Sequence, residues 1–205
     1  MTIYDLKPAF TNLLRPACRW LAARGVTPNQ LTIGATLLSV VAGAGIAALH
    51  DHARVLLAVP VVLLFRMGLN ALDGMLAREH DMTTPLGGFL NELGDVVSDI
   101  ALYLPFALLP GVSGELVLVT VLLAVLSEMA GVVAVQTGAE RRYDGPMGKS
   151  DRAFFFGALA LAIGSGLEAG LWVQTLLAFV SLLLIATIIN RVASALKQCS
   201  PAVMD

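Results

Sequence analysis

Residues 70–95 read NALDGMLAREHDMTTPLGGFLNELGD, which sets Asn70, Asp73, Gly74, Ala77, Arg78, Gly87, Asn91 and Asp95 in the order N-x-x-D-G-x-x-A-R, eight residues, G-x-x-x-N-x-x-x-D. This polar run lies inside two strongly apolar segments. Ionisable groups at such depth are costly and by default mark a functional site. Asn70 and Asp73 are three apart and share one helix face. Asn91 and Asp95 are four apart, and Asp99 follows one turn deeper. The short stretch from Glu79 to Pro85 reads as a turn. The two helices are then antiparallel neighbours whose oxygen-bearing side chains can converge.

The surroundings of this run are those of a membrane protein. The chain has 205 residues, 57% hydrophobic and 14% charged, with a mean hydropathy of +0.80. A soluble domain of this size is not so apolar. Apolar stretches at 31–50, 53–77, 86–110, 115–137, 152–169 and 171–194 reach or approach the roughly 20 residues a helix needs to cross a bilayer. The expected fold class is all-α integral membrane, one domain over 1–205 with a six-helix transmembrane bundle over 31–194. The fifth stretch is the weakest, because Gly164, Gly166 and Glu168 interrupt its end. Within 3–24, Ile3, Leu6, Phe10, Leu13, Leu14, Ala17 and Leu21 recur at helical spacing with basic residues between them. That pattern suits an N-terminal amphipathic helix in the cytoplasmic interface, and equally a helix packed on the bundle. Gly25 ends it, and Thr27-Pro28-Asn29 opens the first span.

Charge asymmetry orients the chain. With six spans and both termini on one side, Lys7, Arg15, Arg19, Arg24, Arg78, Arg141, Arg142, Lys149, Arg152, Arg191 and Lys197 share one face. Arg54 alone lies on the other, and Arg66 lies within a span. The positive-inside rule makes the crowded face cytoplasmic, with residues 70–95 at that end. Nothing in Met1–Arg24 reads as a cleavable signal peptide. Cys18 and Cys199 suggest neither a disulfide framework nor a metal spacing. His50, His52 and His80 read as surface residues, and no nucleic-acid partner is expected.

The residue types suggest a chemistry. Hard divalent cations take oxygen ligands, usually a few carboxylates plus phosphate oxygens. Gly74, Ala77 and Gly87 leave room for a bulky group near the backbone, although small residues also serve helix packing. Arg78 could grip a pyrophosphate or merely snorkel. Arg66 could bind phosphate, neutralise the site or be a packed partner. Glu128 is another acid within a span, and a structural ion pair with Arg66 is a fair account of it.

The run resembles the signature of the CDP-alcohol phosphatidyltransferase family, D-x-x-D-G-x-x-A-R-x8-G-x-x-x-D-x-x-x-D, in order and in every spacing. The resemblance extends to the six-helix layout, the N-terminal helix and Thr27–Thr32. Leu69–Glu79, Ser98–Phe106 and Gly148–Ala153 look like the YnbA-type inner-membrane branch. The resemblance implies transfer of a phosphatidyl group from CDP-diacylglycerol to an alcohol, with release of CMP, as a step of phospholipid biosynthesis. It implies one or two Mg²⁺ or Mn²⁺ ions at Asn70, Asp73, Asn91 and Asp95, with Asp95 also the catalytic base. Gly74, Ala77, Arg78 and Gly87 map to positions contacting the CDP moiety. Lys149, Arg152 and Arg191 resemble the pocket that holds the phosphate of a phosphorylated acceptor. A homodimer in the bacterial inner membrane, active site toward the cytoplasm, is implied as well. The departures are Asn70 and Asn91, where the family pattern has Asp. They reduce the formal charge of the four-residue set to -2, which weakens binding of at least one metal unless Glu92 or Asp99 compensates, and Asp99, on the same helical face, is the better candidate. A relative that binds a CDP-lipid without turnover, and a small transporter, are the alternatives.

Overall fold

A computed structural model describes residues 3–199, with side chains from residue 10 onward. Seven α-helices follow in order: α1 (Ile3–Ala23), α2 (Pro28–Ala48), α3 (Ala58–Glu79), α4 (Pro85–Tyr103), α5 (Gly114–Gln136), α6 (Lys149–Gly164) and α7 (Leu171–Cys199). Short 3-10 turns at Ala53–Leu57 and Leu104–Leu108 precede α3 and follow α4, and there is no strand among the described residues.

Local chemistry sets the helix starts. At α2 the Thr27 N–H donates to Gln30 Oε1 (2.9 Å) and the Gln30 N–H to Thr27 Oγ1 (3.3 Å), a reciprocal capping box with Pro28 at the first helical position. At α4, Thr84 Oγ1 accepts from the Gly87 N–H (3.0 Å), and Pro85 is again the first helical residue. Gly25, with φ at +72°, ends α1 in the left-handed conformation that glycine tolerates.

Four segments are long and apolar enough to cross a membrane: Pro28–Ala48, Ala53–Glu79, Gly114–Gln136 and Leu171–Cys199. Their exposed positions are filled by large apolar side chains such as Leu37, Val41, Leu64, Phe65, Leu122, Met129, Leu182 and Ile189. The expected third and fifth spans fall short of that standard. Helix α4 has Glu92, Asp95 and Asp99 among its 19 residues. Helix α6 has only 16 residues, about 24 Å at 1.5 Å per residue, because the chain turns at Ser165 and Gly166 instead of running on to 169.

The helices gather into two compact units. The first takes the chain up to Ala44 together with Pro60–Leu102, and the second takes Gly45–Val59 together with the chain from Tyr103. In the first unit, Cys18 of α1 is buried against Leu72, Met75 and Leu76 of α3, with Leu14, Leu21 and Leu31 around them. Arg15 and Glu79 pair across the same contact at 3.4 Å. Helix α1 is thus packed on α3, while Leu13 and Trp20 face outward. Helix α2 lies close to α4: a Cβ at Gly43 would collide with the Ala101 carbonyl, and one at Gly94 would come within 2.7 Å of Thr36 Oγ1.

In the second unit α5 and α7 run along each other. Thr120 and Ser181 share a hydroxyl hydrogen bond of 2.9 Å, and Ala124, Val180 and Leu184 form a buried cluster with Met147. Tyr103 stacks on Phe156 of α6 at 4.0 Å, with Phe106 edge-on to the same ring.

Candidate active site

The polar residues of 70–95 are assembled in the first unit by α2, α3 and α4. Asp73 is 7% exposed, and one of its oxygens accepts a 2.8 Å hydrogen bond from the Thr32 hydroxyl of α2. Asn70, one turn away on α3, donates from Nδ2 to Asp95 Oδ1 on α4 at 3.2 Å. Arg66, one turn further along α3 and 3% exposed, reaches the same acid. Its Nη2 lies 3.4 Å from Asp95 Oδ1 and 3.1 Å from the Asp95 carbonyl. Its Nη1 pairs with Asp99 Oδ1 at 2.6 Å. The pairing of α3 with α4 therefore does bring Asn70 and Asp95 together, and a buried arginine sits between Asp95 and Asp99.

Asn91 and Arg78 lie apart from this network. Asn91, one turn from Asp95, is exposed. Asp99 is bound to Arg66, so it does not supply the missing negative charge. Arg78 is exposed and folds back along its own helix, so that a Cβ at Gly74 would lie 3.1 Å from its Nη2. A Cβ at Gly87 would lie 2.9 Å from Asn29 Oδ1, and Ala77 is half-buried on α3. Gly74 and Gly87 thus make space for a guanidinium and an amide, the kind of small-residue recess that a side chain would close.

The donors available here could hold a divalent cation only together with other ligands. Among the described residues no three His, Cys, Asp or Glu side chains converge as a metal-holding group. Mg²⁺ typically keeps several waters and is held by one or two carboxylates together with substrate phosphates. Asp73 and Asp95, with the amide oxygen of Asn70, match that modest requirement.

The basic residues form a second assembly, within the second unit. Glu128 of α5 accepts from Arg141 Nη2 (2.9 Å) and Arg152 Nη2 (2.9 Å), and Arg191 Nη1 lies 3.4 Å away. Arg191 also donates to the Ser127 carbonyl and, through Nε, to the Asp144 carbonyl at 3.3 Å. The partner of Glu128 is thus not Arg66, as the sequence suggested, but three other arginines. Arg66 finds Asp95 and Asp99 instead, because α3 places it beside α4. Three guanidiniums around one carboxylate leave an excess of positive charge. Arg152 and Arg191 are each 1% exposed, whereas Lys149 is half-buried at the first position of α6. The connection carrying Arg141 is fastened by its neighbours: Thr187 Oγ1 accepts from the Met147 N–H (2.9 Å), and Arg142 grips Asp144 through two 2.8 Å bonds. Those bonds hold the Asp144 carboxyl below the ordinary carboxylate range.

Neither Thr32 nor Arg141 stood out as a site residue from the sequence. Thr32 lies near the start of an apolar stretch, where a hydroxyl usually bonds its own helix, as it also does here to the Pro28 carbonyl (3.1 Å). Arg141 is indistinguishable by composition from the topology-setting cations near it.

Similarity to known proteins agrees with this architecture. Residues 25–196 match the CDP-alcohol phosphatidyltransferase family, and the chain belongs to it. It is 45% identical over 196 residues to the inner membrane protein YnbA of Escherichia coli K12, covering 96% of this chain and 97% of that one. It is 31% identical over 103 residues to the archaetidylinositol phosphate synthase of Pyrococcus horikoshii, about half of each chain. Among solved structures, the phosphatidylinositol phosphate synthase of Mycobacterium tuberculosis in complex with manganese and citrate superposes with a TM-score of 0.73 at 22% identity, over 93% of this chain and 91% of that one. The same enzyme with CDP-DAG bound gives a TM-score of 0.64 at 24% identity, over 93% and 96%. These two likenesses establish the shared fold.

Proposed function

We propose that this protein transfers a phosphatidyl group from CDP-diacylglycerol to an alcohol and releases CMP, with a divalent cation at Asp73, Asp95 and Asn70. The observation that carries the reading is the junction of α3 and α4. It brings Asn70 of the N-x-x-D-G-x-x-A-R segment to Asp95 of the G-x-x-x-N-x-x-x-D segment, with Thr32 orienting Asp73. The family membership and the CDP-DAG and manganese complexes of the mycobacterial enzyme support the same chemistry.

A bound Mg²⁺ or Mn²⁺ would supply Lewis acidity and charge neutralisation at the pyrophosphate. The chain's own residues do the rest. Asp95 takes the proton of the acceptor hydroxyl as its oxygen forms a bond to the lipid-linked phosphorus. The bridging P–O bond to the cytidylate breaks, and CMP leaves with both electrons of that bond. Arg78 meets the charge of the departing phosphate, and Gly74, Ala77 and Gly87 contact the CDP moiety. Lys149, Arg152 and Arg191 hold the phosphate of a phosphorylated acceptor, a role suited to the surplus positive charge around Glu128. In this reading all six apolar stretches lie in the bacterial inner membrane with α1 at the cytoplasmic interface. Both termini and the site face the cytoplasm, and the protein is a homodimer.

The test is Mg²⁺- or Mn²⁺-dependent CMP release from CDP-diacylglycerol across a panel of phosphorylated and unphosphorylated alcohols. Asp95→Asn is expected to reduce release by about 10²- to 10⁴-fold, the usual range for a lost general base. Full activity in that variant would remove Asp95 from the role. A second reading, a relative that binds the CDP-lipid without turnover, is favoured by one feature: Asn70 and Asn91 stand where carboxylates would strengthen metal binding. Retained CDP-lipid binding with no release for any acceptor would select it.

A further inference from the structure

We infer that Arg66 is a built-in cation that takes the place of a second metal ion, so that this site binds one divalent ion per chain. The inference rests on the divalent-ion reading above and deepens it.

Charge is the first observation. Asp73, Asp95 and Asp99 are the acids assembled on α3 and α4, and Arg66 lies among them at 3% exposure. Asn70 and Asn91 add oxygen but no charge. A pair of divalent ions roughly 3.5–4 Å apart repel one another strongly and need anionic ligands to hold both. Arg66 pairs with Asp95 and Asp99, and Asp73 accepts from the neutral Thr32 hydroxyl, so the three carboxylates and the guanidinium sum to a net charge of -2, which matches a single divalent ion.

Geometry is the second. Arg66 does not hang at the edge of the site. It meets Asp99 at 2.6 Å and reaches both the carboxylate and the carbonyl of Asp95, with Nη1 turned to one acid and Nη2 to the other. A guanidinium held in this way is a fixed, permanently charged group. It bridges two acids as a cation would, but it cannot leave and does not take up further ligands. Arg66 is therefore a positioning residue, acting through Asp95. Asn70 completes the arrangement by donating to the same Asp95 oxygen that Arg66 approaches. An aspartate at position 70 would instead set two carboxylates against each other there.

The experiment counts ions rather than turnover. Mn²⁺ is titrated into the full-length protein in lipid nanodiscs, with bound and free Mn²⁺ separated by electron paramagnetic resonance. The wild type is expected to bind one Mn²⁺ per chain. The triple variant Arg66→Gln, Asn70→Asp, Asn91→Asp is expected to bind two, whereas Arg66→Lys, which keeps the charge, stays at one. Monodispersity and helical circular dichroism identify the folded variants. Should the triple variant fail to fold, the single variant Asn70→Asp with Arg66 retained is expected to remain at one ion. Two ions in the wild type would overturn the inference while leaving the divalent-ion reading intact. So would a single ion in a folded triple variant. No Mn²⁺ bound by folded wild-type protein, with or without CDP-diacylglycerol, would overturn both.

Discussion

Asp73 and Glu128 show how the same problem, a carboxylate in an apolar helix, is solved in two ways. Asp73 is met by the neutral Thr32 hydroxyl, which satisfies one oxygen without spending the charge. Glu128 is met by Arg141, Arg152 and Arg191, which more than cancel it. The consequences of mutation differ accordingly. Thr32→Val leaves the fold in place and loosens the orientation of Asp73. Removing such a support to a metal-binding carboxylate usually weakens affinity by about 10- to 100-fold, so Mn²⁺ affinity is expected to fall at least about tenfold with little change in melting temperature. Glu128→Ala leaves three neighbouring guanidiniums uncompensated. Breaking a buried ion pair on one side costs about 3–5 kcal/mol, and thermal unfolding in detergent should shift down by a large margin, with Glu128→Gln intermediate. An Asn70→Asp, Asn91→Asp double variant returning no Mn²⁺ binding would speak against the oxygen-ligand role of this region altogether.

Among the elements, α2 is the one whose sequence is shaped most by its neighbour. It opens with a capping box, runs apolar for its length, and has Gly43 where the Ala101 carbonyl of α4 approaches. Gly34 on the same helix has nothing within contact distance of its missing Cβ. Gly43→Ala should therefore push α2 away from α4 and cost about 1–3 kcal/mol, as overpacking usually does. Gly34→Ala should be neutral or slightly stabilising, since alanine is the better helix former. Thermal unfolding of the two variants side by side checks this. Because α2 also supplies Thr32, a shifted α2 is expected to impair Mn²⁺ binding as well. The helix ends were largely legible in the sequence: Gly25, Thr27-Pro28 and Pro85 stop and start helices where they stand. The end of α6 was less so. Gly164, Gly166 and Glu168 weaken the end of that stretch without fixing where it stops, and a glycine-rich turn with φ at +104° at Gly166 closes the helix after 16 residues.

For the whole molecule, the distribution of cations sets the expected orientation. Cys199, exposed at the end of α7 and within hydrogen-bonding distance of the Thr137 carbonyl (3.2 Å), is a natural reporter. In a Cys18→Ser background, a membrane-impermeant maleimide should label Cys199 in inverted inner-membrane vesicles and not in intact spheroplasts. The opposite result would reverse the orientation and place residues 70–95 away from the cytoplasm. The exposed leucines, valines and phenylalanines of α2, α3, α5 and α7 account for the high hydropathy of the chain. They are a surface suited to lipid rather than a core left uncovered.

What the sequence determined by itself is periodic and local. Apolar runs, capping residues and glycines declare the helices. The spacing of Asn70, Asp73, Gly87 and Asp95 declares the family to which residues 25–196 belong. What only the tertiary structure decided is which charge meets which. Arg66 and Asp99 are 33 residues apart, Thr32 and Asp73 are 41 apart, and Arg191 lies 64 from the Ser127 carbonyl it binds. Several acids could have partnered Arg66, Glu128 among them. The register in which α3 lies against α4, and α5 against α7, makes the selection. A salt bridge holds only within a few ångströms, and one helical turn displaces a side chain by about 5.4 Å along the axis.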